Sequence, residues 1–113
     1  MQVLEAKKTF LKVLLSTIGV TKLHQLSFNQ KLTNEIEIDV NDIQDIEAIQ
    51  LLEFVYAIQT DKGWNINVAI SLLDGVPAKF MVSQLQNATK SSFAKLNAEF
   101  NKLTVIIKGV TYE

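Results

Sequence analysis

The tightest constraint this chain places on its own fold is a six-residue alternation. From Glu35 to Val40, three acids (Glu35, Glu37, Asp39) interleave with Ile36, Ile38 and Val40. Successive side chains of a β-strand point to opposite faces, so a period of two sends the aliphatics one way and the carboxylates the other. Clean alternation of this kind belongs to a sheet with one covered face and one polar face. The rest of the chain must therefore supply an apolar layer for one side of this strand.

The same strand opens a strongly biased block of charge. Between Leu32 and Asp61 there are eight acids and no lysine. The N-terminal arm holds five lysines and one acid, the C-terminal arm six lysines and three acids. The net charge of −1 thus averages a block of −8 between arms of +4 and +3. Segregated charge governs partner choice and encounter rate more than it governs fold.

Composition narrows the class. A chain of 113 residues, 48% hydrophobic and 20% charged, is long enough to bury one core, so a single domain over 1–113 is expected. Cysteine is absent, which removes disulfides, thiolate nucleophiles, zinc ribbons and iron–sulfur ligation together. Arginine is absent as well. Without a guanidinium fork there is no bidentate reader of phosphate or guanine, so no specific nucleic-acid partner is expected. No apolar run reaches the length of a membrane span, and no uninterrupted apolar region follows Lys7, Lys8 and Lys12 as in a signal peptide. A cytoplasmic location is expected.

Periodicity places the elements. Val3, Ala6, Phe10, Leu14 and Ile18 recur at three and four, which predicts a helix closed by Gly19, although Phe10–Val20 also suits a strand. Leu23, Leu26 and Phe28 suit a short strand or a loop. After the alternating strand, Asn41 or Asp42 offers an N-cap for a largely buried helix running to about Gln59. Asp61-Lys62-Gly63 reads as a turn, and Trp64–Ile70 as a second strand alternating with Asn65, Asn67 and Ala69. Strand, helix and strand in this order predict a right-handed βαβ crossover with parallel strands. Pro77 suits the first position of a long helix to about Lys102, striped by Val82, Leu85, Thr89, Phe93, Leu96, Phe100 and Leu103. Thr104–Tyr112 is strand-prone and must pair within the domain or across a homodimer, because a bare edge aggregates. The expected class is α/β: a two-layer sandwich, a small mixed sheet around a central parallel βαβ unit, and helices mainly on one face.

Candidate chemistry is sparse. Asp39, Asp42 and Asp45 recur at every third residue and could offer oxygens to a hard cation. Asp39, however, ends a strand while the others open a helix, and no glycine-centred loop gathers them. Capping and solvation account for these acids, so no metal and no cofactor is expected. His24 is the sole histidine, and no serine or acid is spaced along the sequence to make a triad with it. The glycines form no phosphate-cradling motif. An enzyme is not expected.

The segment from Glu35 to about Val82 resembles the STAS domain of anti-anti-sigma factors and of a small subunit of lipid-transporting ABC systems. Asp39 stands at a strand end, and Glu47-Ala48-Ile49-Gln50 occupies the place of an Asp-Ser-Ser-Gly-like element at a helix start. Gly63, Trp64–Ile70 and Pro77 follow in the family's spacing. The departures are Ile49 at the phosphorylatable serine position and Gln50 at the glycine. The resemblance implies a non-enzymatic regulatory module without a phosphorylation switch.

From charge and resemblance together, the function expected is a protein-interaction module binding a basic partner through Asp42, Asp45, Glu47 and Gln50. The alternative is an acidic inhibitor or decoy, of the kind small phage or plasmid proteins provide, that imitates nucleic-acid phosphate.

Overall fold

A computed structural model describes residues 1–25, 37–43 and 53–112. The first element is helix α1, Val3–Leu15. Ala6, Phe10, Leu11 and Leu14 bury one stripe of it. The helical reading of this segment prevails over the strand alternative because those positions lie on one face at a period of 3.6. Gly19, at φ +106, turns the chain into β1, Val20–His24. Strand β2 covers Glu37–Asp39 and passes into a single 3₁₀ turn, Val40–Asp42. Strand β3 (Val55–Thr60) and β4 (Gly63–Leu73) form a hairpin. Helix α2 spans Ala78–Lys95, and β5 spans Phe100–Thr111.

These strands form one mainly antiparallel five-stranded sheet organised around β4. Along one edge β4 pairs antiparallel with β3 through residues 63–68 and then with β1 through residues 69–72. Its other edge is taken by β5, parallel, from Trp64↔Phe100 to Leu73↔Thr111. β2 lies outside β1, antiparallel to it.

The expected central parallel βαβ unit does not form, and with it the expected fold class is corrected. The strand Glu37–Asp39 pairs with β1 and not with the tryptophan strand. Where a helix to Gln59 was expected, residues 55–60 are a strand antiparallel to β4. The sequence Val55-Tyr56-Ala57-Ile58 is apolar on both faces and fits a buried helix as readily as a strand. The arbiter is the Asp61-Lys62 turn, which folds this run back on β4 with Thr60 opposite Gly63. The only parallel pair among the described strands is β4 with β5, linked through α2.

Helix α2 also ends earlier than expected. Its apolar stripe breaks after Leu96, where Asn97 adopts φ 57, a left-handed conformation that asparagine tolerates better than most residues. The chain doubles back, and Phe93 meets Phe100 edge-on, ring centroids 5.7 Å apart. Phe100 and Leu103 thus belong to β5 and not to the helix. Pro77 stands just before the helix as its N-cap. Leu26, Phe28 and the middle of the expected helix, 44–52, lie outside the described residues.

Both helices cover the same face. Trp64, Ile66, Val68, Ile70 and Leu72 of β4 join Phe10, Leu11 and Leu14 of α1 and Met81, Leu85 and Phe93 of α2 in one core. Strand register then fixes the opposite face: Lys22, His24, Glu37, Asp39, Asn65, Asn67, Ala69 and Ser71 point away from the helices. Among the described residues no helix is long and apolar enough to cross a membrane.

Candidate functional site: an acidic strand beside a buried serine–histidine pair

The alternation that defines β2 also positions its chemistry. Ile38 pairs with Leu23 on the helix-covered face, so Glu37 and Asp39 project to the other side. Glu37 is exposed and lies between two basic groups of β1. Its Oε1 is 3.2 Å from Lys22 Nζ, and its Oε2 is 3.6 Å from His24 Nδ1. Asp39 ends the strand and accepts a 2.9 Å hydrogen bond from the Asn41 amide, which caps the 3₁₀ turn. Asp42, the last residue of that turn, is exposed and forms no ion pair among the described residues. Three carboxylates thus occupy six consecutive positions, and among the described residues one lysine answers them.

Of the four expected partner-binding residues, Asp42 is placed on this surface. Asp45, Glu47 and Gln50 lie outside the described residues. The expectation that Asn41 or Asp42 caps a long helix is replaced by a short turn capped by Asp39.

A second feature was not legible in the spacing of residues. His24 Nε2 is 2.6 Å from Ser71 Oγ, and both residues are 5% exposed. One hydrogen bond joins them, its donor set by the ring tautomer. The backbone carbonyl of Ser71 accepts from Thr21 Oγ1 at 3.2 Å, and Thr21 Oγ1 is 2.7 Å from Thr111 Oγ1. Serine, histidine and glutamate therefore do meet, across β4, β1 and β2, contrary to the sequence expectation for His24. The one signal in the sequence was Ser71 itself, a lone hydroxyl in the apolar run Ile70-Ser71-Leu72.

The serine–histidine distance suits proton transfer. Acyl transfer needs more: an accessible nucleophile, and donors aimed at the developing oxyanion. Ser71 is buried in the middle of a strand that is paired on both edges. The geometry instead suits a polar lock that holds β1 and β4 in register, since a one-residue slip would turn His24 toward the core.

A groove lies between α1 and α2. Lys12, Lys95 and Ser92 line it together with Thr9, Ser16 and Thr17. Those last three hydroxyls donate to carbonyls one turn back in their own segment, so they are not aimed at a ligand. Lys12 and Lys95 each stand in the last turn of their helix, where a cation complements the helix dipole.

Fold and site together define a small mixed α/β domain whose exposed carboxylates cluster at one strand end. No family model, curated protein or solved structure matches this chain. The STAS resemblance accordingly stands on the spacing of residues alone.

Proposed function

We propose that this protein is a non-enzymatic, cytoplasmic interaction module that offers Glu37, Asp39 and Asp42 to a basic protein partner. Asp45, Glu47 and Gln50, which lie outside the described residues, remain part of the contact set that the sequence suggests. The observation that carries it is the pairing imbalance on β2 and its turn: three carboxylates in six residues against Lys22 alone among the described residues. Such a surface raises association rates and fixes partner orientation more than it adds affinity.

An amide NMR titration with an octalysine peptide at low salt tests this. The expected result is shift changes centred on residues 37–42, lost in the double variant Glu37→Lys, Asp42→Lys with the remaining spectrum preserved. Shifts confined to other elements, or none, would overturn the proposal. A nucleic-acid-binding enzyme released from DNA by the wild-type chain, but not by the double variant, would favour the decoy instead.

A further inference from the structure

β1 and β3 lie end to end along one edge of β4. β1 runs from Val20 opposite Leu72 to His24 opposite Ala69. β3 takes up the next position and runs from Val55 opposite Val68 to Thr60 opposite Gly63. Both strands run the same way, antiparallel to β4, and no position on β4 is skipped between them. Side-chain facing carries across the junction as well. Leu23 and Val55 are buried in the helix-covered core, while His24 and Tyr56 point away from it. Successive ladder positions are one strand step apart, about 3.4 Å. A single peptide bond from His24 to Val55 would therefore complete one continuous strand, yet 30 residues, 25–54, stand between them in the chain.

Charge and core divide at the same boundary. Residues 25–54 hold seven acids and one lysine, a net −6, whereas the remainder holds ten lysines and five acids, a net +5. Among the described residues, the buried apolar core takes only Phe54 from within 25–54. Ile38, Val40 and Ile43 pack against that core but are only partly buried. We infer that residues 25–54 are an acidic contact element inserted into a basic scaffold, and that the scaffold, residues 1–24 joined to 55–113, folds without it.

The scaffold keeps α1, a joined β1–β3 strand, β4, α2 and β5, together with the Ser71–His24 hydrogen bond. Of the described elements it loses only β2 and the 3₁₀ turn. A long excursion burdens such a scaffold little, because loop-closure entropy grows only with the logarithm of loop length. The proposed contact residues Glu37, Asp39, Asp42, Asp45, Glu47 and Gln50 all fall within the inserted stretch. Their contact role rests on the function proposed above, whereas the insertion rests on register, core and charge. The 3.2 Å pair of Glu37 with Lys22 joins the two parts across their boundary. Binding and folding are then separable, since the element that meets the partner contributes little to the core that holds the fold.

Two variants, compared with the full chain, test the inference. In one, residues 25–54 are deleted and His24 is joined to Val55. In the other they are replaced by a Gly/Ser linker of the same length, which removes any strain at the new peptide bond. Folding is expected in at least one, read as dispersed amide resonances and a single cooperative urea transition of Trp64 emission. The urea midpoint should fall below that of the full chain, because Phe54 and β2 are gone. Failure of both variants to fold overturns the inference. The octalysine titration reads the contact role separately. A folded variant that no longer binds the peptide supports both proposals. One that binds it as the full chain does keeps the insertion and overturns the acidic strand as the contact surface.

Discussion

Gly63 opens β4 at the point where three segments meet, and alanine there should be among the most damaging one-carbon additions to this chain. Its φ is +123, a conformation open to glycine and almost closed to other residues. A Cβ would stand 2.8 Å from the Glu99 carbonyl oxygen and 2.9 Å from its carbon, both backbone atoms that no rotamer change can move. Relief requires β5 to retreat, which loosens the 2.9 Å bond from the Trp64 amide to the Glu99 carbonyl. The backbone strain costs about 1–3 kcal/mol and the weakened hydrogen bond about 1 kcal/mol. Gly63→Ala is therefore expected to lose about 2–4 kcal/mol, a large part of a stability of about 5–15 kcal/mol. Gly75 is the internal control: its φ is +87, but nothing lies within 4 Å of its would-be Cβ. Gly75→Ala pays for strain alone, partly offset by a less flexible unfolded chain, and should lose about 1 kcal/mol. Urea unfolding followed by the emission of Trp64, the sole tryptophan and 2% exposed, measures both. Equal losses in the two variants, to within about 0.5 kcal/mol, would refute the clash as the source.

Two further substitutions probe the core and the polar lock by the same assay. Ser71→Ala removes the hydroxyl bonded to the buried His24 ring and should cost about 1–3 kcal/mol, whereas a loss below about 0.3 kcal/mol would show the 2.6 Å contact contributes nothing. Phe93→Ala empties a fully buried site and breaks the edge-on pair with Phe100, for an expected loss of about 3–5 kcal/mol; a loss under about 1 kcal/mol would mean the α2–β5 junction collapses around the gap.

What the sequence made legible follows physical rules that can be named. The stripe Ala6, Phe10, Leu14 has one period and one solution, so α1 is readable. Trp64 to Ile70 alternates against two asparagines, so β4 is readable, though its extension to Leu73 is not. The segment at Val55 misleads because its outward positions are apolar too: Tyr56 and Ile58 are 39% and 45% exposed on the face away from the helices. Amphipathic alternation disappears when both sides of a strand are greasy, and a helix then fits equally well. The stripe that runs from Val82 to Leu103 misleads for another reason, since the turn at Asn97 returns Phe100 to the same apolar layer in a different secondary structure. The Ser71–His24 pair was beyond reach because it depends on strand register, which joins residues 47 positions apart.

The corrected topology changes what the charge pattern means. In a parallel crossover, Asp42, Asp45 and Glu47 would have gathered at a helix start, where capping accounts for part of them. With β2 outside β1, Glu37 and Asp39 instead face away from the helices, beside Lys22 and His24. The helices take the opposite sign: α2 carries Lys79, Lys90 and Lys95 with no acid, and α1 carries Lys7, Lys8 and Lys12 with Glu5. The helices thus carry net positive charge, while Glu37 and Asp39 share the other face of the sheet with Lys22 and Lys102. In the proposed interaction, the exposed carboxylates of β2 and its turn would attract a basic partner before contact. That steering is long-ranged at low salt and confined to about 8 Å at physiological ionic strength. In the proposed module, contact through Glu37, Asp39 and Asp42 would then supply the specificity.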